Sequence, residues 1–116
     1  MSQVTGELVM NIASVCHEAN RAWFKAHGDT SQVPWDEAPE WQQKSVCEGV
    51  WLALGGAGPR ELHTAWCRHK VAAGWRFGPV KDAGSQHHPG LVGYDDLPDE
   101  RRKKDTLFVA IVGALR

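Results

Sequence analysis

At 116 residues, with 42% hydrophobic residues and 13 Lys and Arg set against 14 Asp and Glu, the chain has the size and balance of one compact domain. That near-neutral charge lacks the clustered positive field needed to neutralise a run of duplex phosphates, so nucleic acid is not an expected partner, whereas a small anion is compatible with it. No apolar stretch reaches the roughly 20 residues of a bilayer span, and the first residues lack the charged-then-apolar pattern of a signal peptide, so a soluble protein with no membrane partner is expected.

The first predicted helix runs from about Thr5 to His27: Leu8, Ile12, Val15, Cys16, Ala19, Trp23 and Ala26 recur at steps of three and four, and Gly28 stands where a left-handed cap would end it. Pro39 suits a helix start, because its missing N–H would be unpaired there, and Glu40 favours the positive end of the helix dipole; this opens a second helix to about Leu54. Gly55-Gly56-Ala57-Gly58 is a turn, and it lacks the Lys of a phosphate loop. A third helix starts at Pro59 and ends at Gly74, with Trp75 placed to fold back beyond the cap. A fourth opens with Pro98-Asp99-Glu100 and carries Leu107, Phe108, Ile111, Val112 and Leu115 on one stripe, with Arg101 to Lys104 expected on its solvent side.

The segment Val33-Pro34-Trp35-Asp36-Glu37-Ala38-Pro39-Glu40 reads like Val92-Gly93-Tyr94-Asp95-Asp96-Leu97-Pro98-Asp99. Each copy precedes a Pro-initiated helix and follows a helix that contains a His, His17 or His63. The expected fold is therefore mainly α: four helices as two pseudo-symmetric helical hairpins, over about 5–54 and 59–115, with the segments near Val33 and Val92 pairing as two short strands. A cleft near the pseudo-axis would then be lined by both halves.

Three cysteines, Cys16, Cys47 and Cys67, fall inside helical patterns without a Cys-x-x-Cys, which favours reduced packing residues and a cytoplasmic setting. His63 and Cys67 are four apart, but zinc needs about four converging ligands and no second pair is defined, so no metal or cofactor is expected. In the run Arg101-Arg102-Lys103-Lys104 the charge is cancelled by Asp95, Asp96, Asp99 and Glu100, and a solvated face is the reading. Trp23 and Trp51 are assigned to the core, and Trp35 and Tyr94, at matching places in the two segments, to structural latches.

On the third helix His63, Trp66 and Lys70 share one face. An indole beside an ammonium can stack on a flat ring and hold a negative group, although the same pattern also suits a core Trp beneath a snorkelling Lys. On the first helix His17, Asn20 and Arg21 share a face in the same way and would form the polar wall opposite.

His63-x-x-Trp66, then Gly74-Trp75-x-Phe77-Gly78-Pro79, then His88-Pro89-x-Leu91-Val92-x-Tyr94-x-x-Leu97-Pro98 resembles the ryanodine-receptor repeat domain, a small helical module of those calcium channels and of stand-alone bacterial and phage proteins. The His17-Asn20-Arg21 cluster resembles the opening motif of the short phage and bacterial members. The resemblance implies a cleft that takes adenine nucleotide, with Trp66, Lys70 and Lys81 at the family's binding positions and His88 in its His-Pro. It also implies a bacterium, or a phage's bacterial host, as the setting. Where the channel repeats often have Arg, Lys70 and Lys81 keep the charge but lose the planar fork for phosphate.

The expected function is a non-enzymatic binding module for a nucleotide, including a cyclic or ADP-ribose-derived one, with ligand contacts at His17, Asn20, Arg21, His63, Trp66, Lys70, Trp75, Lys81 and His88. Two alternatives are carried. A docking domain of a larger assembly, or of a homo-oligomer, would show an apolar patch. An enzyme acting on such a ligand would use His17 with Glu18, or His63 with Asp82, as an acid–base pair.

Overall fold

The computed structural model describes residues 5–116 and is mainly helical. Its elements are α1 (Gly6–Ala26), α2 (Glu40–Leu54), α3 (Pro59–Ala72), β1 (Arg76–Phe77), β2 (His87–His88) and α4 (Asp99–Leu115), with single 3₁₀ turns at Trp35–Glu37 and Tyr94–Asp96. Every helix boundary falls within two residues of its expected place, because the end signals act locally. Thr5 caps α1 by accepting the Leu8 N–H on its hydroxyl at 3.1 Å. Beyond α1, Gly28 takes φ +91° and the Asp29 N–H returns to the Phe24 carbonyl at 2.8 Å. Gly74 does the same after α3, at φ +94°, with the Trp75 N–H on the Lys70 carbonyl at 2.9 Å.

The core is a seam between three helices: Val9, Ile12, Ala13 and Cys16 of α1 meet Val50 and Ala53 of α2 and Val112 of α4. Burying a side chain of the Val or Ile class contributes about 1.5–3 kcal/mol relative to leaving it exposed, so this seam is what joins the first half of the chain to the last helix. Gly49 lets α4 approach, since a Cβ there would lie 3.1 Å from Cζ of Phe108. All three cysteines are free thiols, and burial pushes Cys16 up to about 12. Trp51 departs from expectation. It is half exposed, because the buried face of α2 is set by Val50 and Ala53 on either side of it.

The two short strands exist but not at Val33 and Val92. β1 and β2 pair in parallel, Arg76 opposite His87 and Phe77 opposite His88, within the excursion between α3 and α4. Val33 and Val92 are held differently. His17 Nε2 donates to the Val33 carbonyl at 2.7 Å, and His63 Nε2 donates to the Val92 carbonyl at the same 2.7 Å. Those carbonyls are thus engaged by imidazoles in place of a strand partner, and Pro34 has no N–H to offer a ladder. The two halves repeat the arrangement through their aromatic residues as well: the His17 ring lies 5.5 Å from Trp35 and the His63 ring 6.2 Å from Tyr94. Trp35 and Tyr94 act as the latches expected of them.

Among the described residues no helix is long and apolar enough to cross a membrane.

Candidate functional site

A cavity of about 280 Å³ opens between the helices, walled by α1, α2, α3 and α4 and by the loop that carries β1 and β2. Of the residues expected to bind ligand, Asn20, His63, Trp66, Lys70, Lys81 and His88 line it. Trp75 stands one step back, with Lys70 Nζ 4.6 Å from its ring centroid.

His17 and Arg21 are not on the wall. The buried His17 ring is spent on the Val33 carbonyl, and Arg21 Nη2 sits 2.8 Å from Glu18, whose other carboxylate oxygen accepts the Trp35 N–H at 3.1 Å. The polar cluster of α1 therefore ties the chain after α1 back to that helix, and only Asn20 reaches the cavity. His63 does both, reaching the wall while donating to the Val92 carbonyl, with Cys67 Sγ at 3.3 Å.

Trp66 is the centre of the aromatic wall. The His63 ring stacks on it at 5.7 Å and 24°, and the His88 ring meets it edge-on at 4.9 Å. Gly90 makes this possible, because a Cβ there would lie 3.0 Å from His88 Nδ1 and 3.3 Å from the Trp66 ring. His88 Nδ1 accepts the Gly90 N–H at 2.9 Å, which fixes the neutral Nε2–H tautomer. Burial, reinforced by Arg101, Lys81, Lys70 and Lys104, pulls His88 down to about 4. Lys81 is placed by the backbone bonds that Asp82 exchanges with His87, at 2.9 and 3.0 Å.

Lys70 sits among three indoles, its Nζ 5.5 Å from Trp41, 5.9 Å from Trp66 and 4.6 Å from Trp75. Burial first, and Lys81 second, hold its ammonium below the usual lysine value. Trp41, 65% exposed on α2, stands at the cavity rim and was not foreseen as a contact. Phe24 on α1, one turn beyond Asn20, also lines it.

The largest difference from expectation lies on α4. Arg101 and Lys104 are not on the solvent side but face the cavity, with Arg101 Cζ 5.8 Å and Lys104 Nζ 5.2 Å from the Phe24 ring. Arg102 and Lys103 do face solvent and pair with Asp99, at 3.7 and 2.9 Å. The signal was present in the sequence: stepping back from Phe108 by four and seven residues along the apolar stripe gives Lys104 and Arg101. The net charge of the whole run masks it.

Among the described residues, Lys70, Lys81, Arg101 and Lys104 make no ion pair. The acidic residues on the wall are Glu48, which engages His69 at 2.8 Å, and Asp105, whose carboxyl burial holds above its usual range. No three of His, Cys, Asp and Glu converge among the described residues.

Residues 58–110 match the family model described as RyR domain. The chain carries an RyR domain. The match begins at the turn before α3 and runs through β1 and β2 into α4, so Trp66, Lys70, Lys81, His88, Arg101 and Lys104 all belong to the RyR segment. Asn20, Phe24 and Trp41 come from the preceding part of the chain, which closes the other side of the RyR segment's cavity.

Proposed function

We propose that this protein is a binding module that takes a small nucleotide-like ligand into the cleft, without turning it over. The observation that carries the reading is the meeting, around one cavity, of aromatic surface at Trp66 and Trp41 with Lys70 and Lys81, which make no ion pair among the described residues. A flat ring stacks on indole with about 1–3 kcal/mol per base, and an ammonium beside it neutralises phosphate. Asn20 and His63 supply polar edges, while His17 and Arg21 hold the wall in place. A cytoplasmic role in sensing or sequestering a nucleotide signal, in a bacterium or its phage, belongs to the same proposal.

The acid–base alternatives have less support. His17 and His63 each give Nε2–H to a backbone carbonyl, Glu18 is held by Arg21 and the Trp35 N–H, and Asp82 accepts the Gly84 N–H at 3.0 Å. A docking role has one feature in its favour, the exposed apolar side chains Trp51 and Leu52 on α2. Sedimentation of the isolated chain checks it, with self-association as the outcome that would favour it.

Titration with a panel of nucleotides, followed by Trp fluorescence and calorimetry, tests the main reading. Saturable binding is expected, weakened at least tenfold in Trp66→Ala and in Lys81→Ala. Silence across the panel, or unchanged affinity in both variants, would sink it.

A further inference from the structure

We infer that Arg101 and Lys104 of α4 form a second anion subsite in the cleft, so that the ligand class is one with two linked phosphates and a single base, a nucleoside diphosphate. The inference rests on the cleft being the ligand site proposed above and narrows what enters it.

The cavity has two cation–aromatic centres on different elements. One is Lys70 among Trp41, Trp66 and Trp75. The other is Arg101 and Lys104 over Phe24, at 5.8 and 5.2 Å. Lys81 lines the same cavity, and its charge disfavours the charged form of both Lys70 and Lys104.

The contrast within one basic run is informative. Arg102 and Lys103 have a carboxylate partner in Asp99, whereas Arg101 and Lys104, on the same helix, turn to the cavity and make no ion pair among the described residues. Four like charges around one partly desolvated space repel each other, and burial already disfavours the charged form of Lys70 and Lys104. Asp105, on the same wall, forms no ion pair within 4 Å among the described residues, and its charge acts on Lys104 and Arg101 from further off. One phosphate beside Lys70 and Lys81 would leave the Arg101 and Lys104 charges offset only in part, by Asp105. A second phosphate linked to the first reaches them, and Arg101 offers the planar fork that the two lysines lack. Size sets the other limit. At about 280 Å³ the cavity lies just under the roughly 300–1,000 Å³ usual for ligand sites, which favours a ligand with one base over one with two.

Calorimetric titration with phosphate, pyrophosphate, AMP and ADP tests this. Pyrophosphate is expected to bind at least tenfold tighter than phosphate, and ADP at least tenfold tighter than AMP. Both advantages should vanish in Arg101→Gln and in Lys104→Met, which keeps an apolar stem of similar length, and should survive in Lys103→Gln. Circular dichroism verifies that each variant is folded, and Arg101→Lys should retain part of the advantage. Equal affinity for phosphate and pyrophosphate, or an advantage that outlasts both substitutions, overturns the subsite. AMP binding that needs Trp66 but shows no diphosphate preference leaves the cleft reading standing and defeats this one. A pyrophosphate preference without AMP binding upholds the two-anion subsite and defeats base stacking.

Discussion

His88 shows how one side chain records its surroundings. It is 6% exposed, accepts the Gly90 N–H on Nδ1 and faces the four cavity cations, so the imidazolium form is disfavoured by burial and by charge together. Its folded value of about 4 lies below the ordinary 6.5 of the unfolded chain. Between those values the unfolded state binds the extra proton, so the stability tied to neutral His88 is complete above about pH 6.5 and is lost as pH falls towards about 4. The full loss is on the order of 3 kcal/mol, the free energy of a shift of that size. Urea midpoints measured from pH 7 down to pH 4 should fall, and the fall should be shallower in His88→Gln. A parallel slope in that variant would mean that His88 is not the titrating group. The sequence placed His88, Trp66, Lys70 and Lys81 as candidates through motif spacing. It could not place His17 and Arg21 correctly, because a His or Arg on a helix face reads the same whether it meets a ligand, a carbonyl or Glu18.

At the scale of elements, the two helix–turn–helix halves are fastened by the same device. An imidazole on the first helix of each half holds the carbonyl of a Val sixteen or twenty-nine residues later, just ahead of a 3₁₀ turn and a helix that follows a proline. Removing the ring leaves a carbonyl without its donor and a gap beside Trp35 or Tyr94. His17→Ala and His63→Ala should each cost about 1–3 kcal/mol, the range for a hydrogen bond lost in a buried setting, as read by chemical denaturation. The two bonds share no partner, so the double variant should lose close to the sum. A loss in neither variant would reduce the latches to incidental contacts. Helix ends were legible because Thr5, Gly28, Pro39, Pro59, Gly74 and Pro98 act through their own backbone geometry. The strands were misplaced because extended conformation near Val33 and Val92 does not specify what pairs with it.

At the scale of the molecule, the seam around Ile12 ties the first half of the chain to α4, and the cavity lies between the same helices. Ile12→Ala should cost about 2–5 kcal/mol, with far-UV ellipticity and Trp fluorescence still falling in one transition. Two separate transitions would show that the halves unfold independently. The sequence by itself determined the helix count, the likeness to the RyR domain and part of the cleft wall, because periodicity, caps and motif spacing are local properties of the chain. Which face of α4 turns inward was decided only in the folded molecule: packing of Phe108 against Gly49 and of Val112 into the seam sets the rotation of that helix. That rotation carries Arg101 and Lys104, three apart and so on one face, into the cavity and leaves Arg102 and Lys103, three and four residues after Asp99, beside that carboxylate.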